Sequence, residues 1–221
     1  MKSIVVCGDS FNVDDPEYPN IHWSSKFTHL TNLSIPGASN LVIRMQIDKA
    51  IKLNPDLIVV SFTSSMRTVI KYNKQIKSDV LDRVYSPSGT SNKNDFDLIS
   101  FPYVGAELYG VLSHDQLTIL KNYVVEFIDL DLLRLENYYI IKDALETLMQ
   151  SDIKFSFSLG GFDHQSFTND TPFDFSKFNQ FQCPINLWDH SDRKKQLRPW
   201  FHVLDSTIHY NLAEYYKFLI K

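Results

Sequence analysis

The chain has 221 residues, 43% of them hydrophobic and 22% charged, with a formal net charge of −4. That length suits one compact domain (residues 1–221) with a sizeable core. The acidic balance excludes a polyanion-binding footprint, so neither nucleic acid nor a membrane surface is an expected partner; the one basic cluster, Arg193, Lys194, Lys195 and Arg198, reads as a solvated loop. Two cysteines, Cys7 and Cys183, exclude a disulfide scaffold and lack metal-ligand spacing. The opening MKSIVVCGDS holds too short an apolar run for a signal peptide or a membrane span, which points to the reducing cytoplasm.

Residues 3–7 form a β-branched run stopped by Gly8-Asp9, the pattern of a buried strand entering a turn. A polar stretch over 12–20 precedes a short helix expected over 23–30. A second strand is expected over 33–35, stopped by Pro36-Gly37. The following helix has Asn40 as its expected N-cap and Leu41, Met45, Asp48 and Ile51 at helical steps, until Asn54-Pro55-Asp56 breaks it. Residues 57–62 are uninterruptedly apolar, as in a strand buried on both faces of a parallel sheet. Residues 78–94, rich in Ser, Asn, Asp and Lys, read as a long loop.

Ser113-His-Asp-Gln opens the longest helical pattern, running to about 149, a length that implies two helices or one bent helix. Residues 154–159 alternate as a strand before Gly160-Gly161. Little periodicity marks 162–199, where Trp188, Trp200 and the Phe-rich 173–181 read as packing. Asp205-Ser206 then caps a last helix with Ile208, Leu212, Tyr215 and Leu219 on one face. Strands alternating with helices argue for an α/β fold with a mainly parallel sheet.

Ligands of such sheets bind at the carboxyl ends of the strands. Small polar residues end the strands here: Gly8-Asp9-Ser10, Pro36-Gly37-Ala38-Ser39-Asn40, and Thr63-Ser64-Ser65. A serine in a tight turn after a buried strand can present both its hydroxyl and its own N–H, the geometry of a nucleophile that helps hold an oxyanion. Asp9 is expected to brace that turn. Arg67 stands where it can bind a substrate anion or pair with a nearby acid. His22, His114, His164 and His190 show no joint ligand spacing, so no metal or cofactor is expected.

Val5-Val6-Cys7-Gly8-Asp9-Ser10-Phe11 resembles the first block of the SGNH (GDSL-type) hydrolase superfamily, with Phe11 in place of Leu. Residues 33–39 resemble the second block, whose glycine, Gly37 here, supplies an oxyanion N–H. Residues 55–62 resemble the strand leading into the third. The resemblance implies a three-layer α/β/α sandwich, flavodoxin-like in its sheet, with Ser10 as nucleophile. It also implies ester hydrolysis without a cofactor, with O-acyl or O-acetyl carbohydrate a typical substrate class.

This chain departs from that pattern twice. The third block's oxyanion-donating Asn is replaced by Ser65, leaving Ser65 or Asn40 as the substitute donor. The fifth block has no Asp-x-x-His: Pro199 stands three residues before His202, the base favoured by position, and Asp189 or Asp192 would orient it. The other candidate is His209, inside the last helix and four residues after Asp205. A Ser-His dyad also suffices for the basic mechanism. These departures leave room for a binding or structural protein that kept the scaffold, and the chain also resembles small SGNH-like proteins of tailed bacteriophages, whose place would be the virion or a host partner.

Overall fold

The computed structural model describes residues 2–13, 20–35, 37–65, 67–71, 98–101, 114–160, 173–190, 203 and 205–221. Its centre is a four-stranded, wholly parallel sheet in the order β2-β1-β3-β6, formed by β1 (Ile4–Cys7), β2 (Leu30–Asn32), β3 (Leu57–Ser61) and β6 (Phe155–Ser158). The middle strands Ile-Val-Val-Cys and Leu-Ile-Val-Val-Ser are buried at every position. Such β-branched runs favour a pleated strand with both faces covered. Beyond β6, Gln182 adds a parallel bridge to Phe157, and Cys183 N–H donates to Phe157 O at 2.7 Å.

Each face of the sheet carries its own core. Val5, Cys7, Ile58, Val60 and Phe157 pack with Val42, Ile43 and Ile47 of α1 (Asn40–Leu53) and with Ile141, Ala144, Leu145 and Leu148 of α3 (Leu130–Gln150). Ile4, Val6, Leu57 and Val59 face the other way, onto Phe11, Trp23, Leu187, Val203 and residues Leu212, Ala213 and Tyr216 of α4 (Ser206–Leu219). A separate antiparallel pair, β4 (Thr68–Lys71) and β5 (Leu98–Phe101), lies in register from Thr68↔Phe101 to Lys71↔Leu98.

Helix ends follow local chemistry. Ser39 Oγ accepts the Val42 N–H, and Asn54 closes α1 in the left-handed region (φ 47°) ahead of Pro55. Asp129 caps α3, which is separated by two residues from α2 (His114–Phe127), so the long helical pattern is two helices. Asp205 caps α4 through Thr207 N–H.

Several expectations are corrected. The N-cap of α1 is Ser39, with Asn40 the first helical residue. The buried stripe of α1 runs through Val42, Ile43, Gln46, Ile47 and Ala50, whereas Leu41 is 37% exposed and Asp48 faces solvent. The helix expected over 23–30 is a single 3-10 turn, Trp23–Lys26, after which Leu30 already starts β2. The second strand lies three residues earlier than expected, because its register pairs Ile4 with Leu30 and Val6 with Asn32. Residues 33 and 35 still continue the ladder, Leu33 N–H donating to Val6 O and Ile35 N–H to Gly8 O. The loop expected over 78–94 lies outside the described residues, as does the rest of the stretch 72–97 between β4 and β5.

Candidate active site

In this strand order β2 and β3 flank β1, so the chain winds away from β1 in opposite directions. The carboxyl ends of β1 and β3 are then the switch point at which parallel sheets open a ligand crevice. Three segments meet there: residues 8–13 after β1, residues 37–39 ahead of α1, and residues 62–65 and 67 after β3.

The first segment is held from below and from the side. Gln46, fully buried on α1, accepts the Gly8 N–H at 2.7 Å and donates to Gly8 O at 3.2 Å, clamping that peptide from both directions. A Cβ on Gly8 would run into the Asn12 amide and lie 3.3 Å from Ser61 O, so the turn needs glycine here. Asp9 caps the 3-10 turn Ser10–Asn12 by accepting Phe11 N–H at 3.1 Å. Its second oxygen accepts Thr63 Oγ1–H at 2.7 Å and the Arg67 Nη1–H at 3.0 Å. The brace expected of Asp9 thus also reaches across to the β3 exit.

Arg67 pairs with an acid, one of the two roles the sequence left open for it. Its Nη1 donates both to Asp9 and, at 2.9 Å, to Ala38 O, so one nitrogen ties all three segments together. Gly37, beside Ala38, has φ 78°, a conformation that strains any residue with a Cβ.

The β3 exit is fixed by two buried amides. Asn40 Oδ1 accepts Thr63 N–H at 2.8 Å, while its Nδ2 donates to Thr63 O at 3.1 Å and to Asn137 Oδ1 at 2.8 Å. Asn137, on α3, donates to Ser65 O and Leu133 O, each at 2.9 Å. The Asn40 amide is therefore engaged in holding the loop after β3.

Ser10 is buried in its turn, directly past the end of β1, and its carbonyl accepts Val13 N–H at 3.3 Å. His202 lies outside the described residues, as do Asp192 and Pro199; Asp189 sits exposed in the 3-10 turn Leu187–His190. His209 is buried on α4, its Nε2–H donating to Val203 O at 2.9 Å, and its ring packs 5.0 Å from that of His22. His22 donates Nε2–H to Phe11 O at 3.1 Å and accepts from the Ser24 hydroxyl at 2.7 Å on Nδ1, which fixes its tautomer. Burial lowers both imidazole pKa values, that of His22 to about 3. Asp205 turns its carboxylate to Thr207 N–H as a helix cap, a bond that lowers its pKa.

The structure therefore brings Asp9, Ser10, Gly37, Asn40, Ser65 and Arg67 together at the carboxyl ends of β1 and β3 and sets His209 with His22 beside the Ser10 turn. Gln46 and Asn137 were missed by sequence reasoning, since each reads as an ordinary polar residue of a helix, and Thr63 was named at its strand end without its tie to Asp9. Among the described residues no group of three His, Cys, Asp or Glu could hold a metal ion, and no helix is long and apolar enough to cross a membrane. Comparison with family models, curated proteins and solved structures finds no match to this chain.

Proposed function

We propose that this chain is a serine esterase-like hydrolase of the SGNH type, a three-layer α/β/α sandwich with a flavodoxin-like sheet, acting on an ester such as an O-acyl carbohydrate. The observation that carries the reading is the position of Ser10, at the switch point, in a turn whose Asp9 is tied to Thr63 and Arg67. In this mechanism His202 removes the Ser10 proton as Oγ attacks the ester carbonyl. The N–H groups of Ser10 and Gly37, with the Ser65 hydroxyl, stabilise the oxyanion. The alcohol leaves with the proton from His202, and water releases the acyl group by the same steps. His209, whose Nε2–H is held by Val203 O, serves packing in this reading.

A second reading, an SGNH-like binding protein of a virion or of a host-directed complex, draws on the engaged Asn40 amide and on Ser65 at the position of the family's Asn. Hydrolysis of short-chain aryl esters by the wild type, Ser10→Ala, His202→Ala and His209→Ala separates the two. Ser10→Ala and His202→Ala are expected to lose on the order of a thousandfold or more in kcat. A rate unchanged by Ser10→Ala would overturn the nucleophile, and no turnover by any folded variant would favour the binding protein.

A further inference from the structure

The hydrogen-bond inventory of the crevice is lopsided. Its carboxylate is occupied: Asp9 Oδ1 takes Phe11 N–H and Asp9 Oδ2 takes Thr63 and Arg67, while Ala38 O takes Arg67. Asn40 Oδ1 takes Thr63 N–H, and the carbonyls of Thr63 and Ser65 take the Asn40 and Asn137 amides. The donors are not all occupied. Among the described residues, every side-chain hydrogen bond of Arg67 leaves from Nη1, so Nε–H and the Nη2 amino group are uncommitted. The Gly37 N–H and the Ser65 hydroxyl likewise have no partner there.

A cation with an uncommitted N–H edge, beside a carboxylate that is already engaged, complements a ligand that accepts. The Arg67 side chain is 21% exposed and that of Asp9 only 3%, so the cation and not the carboxylate meets the opening. Nη1 is anchored inward on both of its acceptors, which leaves the Nε–Nη2 edge of the planar guanidinium for the ligand. That edge presents two parallel N–H groups, the fork that matches two oxygens of a carboxylate or a phosphate.

We propose that the crevice takes an anionic oxygen group, a carboxylate or a phosphate, on the Nε–Nη2 edge of Arg67. Under the hydrolase reading, on whose choice of crevice this inference rests, the preferred ester carries that anion near its scissile bond. Arg67 is then a specificity residue as well as the tie between the loops.

The test is calorimetric titration of the intact chain with succinate and, separately, with inorganic phosphate at fixed ionic strength. At least one should bind in the millimolar range or tighter, and the tighter of the two names the anion. Arg67→Lys keeps a cation for Asp9 but loses the fork, and is expected to weaken binding about tenfold or more with the fold intact by circular dichroism. Failure of both anions to bind the wild type, or equal binding by Arg67→Lys, would overturn the inference. Because binding is read without turnover, ester hydrolysis without anion binding sinks this inference alone, and anion binding without hydrolysis sinks the esterase alone.

Discussion

The two faces of the central sheet are built from different materials. Beneath α1 and α3 the core is aliphatic and aromatic, with Ile43, Ile47, Ile141, Leu145 and Leu148 among its fully buried side chains, and the buried amides of these helices, Asn40, Gln46 and Asn137, bond the backbone of the crevice loops. Beneath α4 and the 3-10 turns, polar groups share the interior: His22 with His209, Ser61 with Ser158, and the buried Asn12 beside Gly8. The contrast separates two tasks. The first face supplies stability and fixes the helices whose amides position the crevice loops, whereas the second supports the turn that bears Ser10 through directional bonds.

The largest effect is expected on the aliphatic face. Ile47→Ala removes a fully buried side chain between α1 and the sheet, and should cost about 2–5 kcal/mol in urea unfolding. A smaller loss would mean that this face repacks and is less rigid than its composition implies.

Acid should strike the other face first. His22 and His209 are neutral in the fold with lowered pKa values, His22 falling from 6.5 to about 3. The unfolded chain therefore binds more protons than the folded one in that interval. Stability is fully present above about pH 6.5 and is lost as pH falls toward 3. Unfolding free energies measured across that range should show a slope that flattens in His22→Gln. An unchanged slope in that variant would assign the acid sensitivity elsewhere.

The smallest expected effect sharpens the comparison at one bond. Ser158 Oγ donates to Ser61 Oγ at 3.1 Å, at the carboxyl ends of neighbouring strands. Ser158→Ala should cost about 0.5–1.5 kcal/mol, while Ser61→Ala with Ser158→Ala together should cost no more than the single change, since both partners go. Strict additivity in that cycle would deny the bond any net role.

Buried strands and helix ends were the legible parts. The run 57–62 announced β3 and the alternation over 154–159 announced β6, because buried strands are written in their own residues. The cap at Asp205 was readable for the same local reason, whereas the pattern over 113–149 left two helices and one bent helix equally open. What escaped was decided at a distance. Gln46 turns inward because its amide meets the Gly8 peptide, 38 positions away, and that contact rotated the buried stripe of α1 from the one its pattern suggested. Asn137 reaches the Ser65 carbonyl across 72 positions. The β2 register was set by its partner β1, not by its own polar Thr31 and Asn32. In the crevice, Asp9, Ser10 and Arg67 were legible as types in a turn, while the tie that Arg67 makes between the loops was not.

The antiparallel pair β4 and β5 follows Arg67 without a spacer, and the pairing of Lys71 with Leu98 brings the two ends of residues 72–97 side by side. A connection whose ends are already stapled together can change length at little entropic cost, since closure rises only by about 0.6 kcal/mol for each doubling. At Lys71 and Leu98 the chain is thus closed on itself by backbone pairing, directly after the arginine that ties the crevice loops.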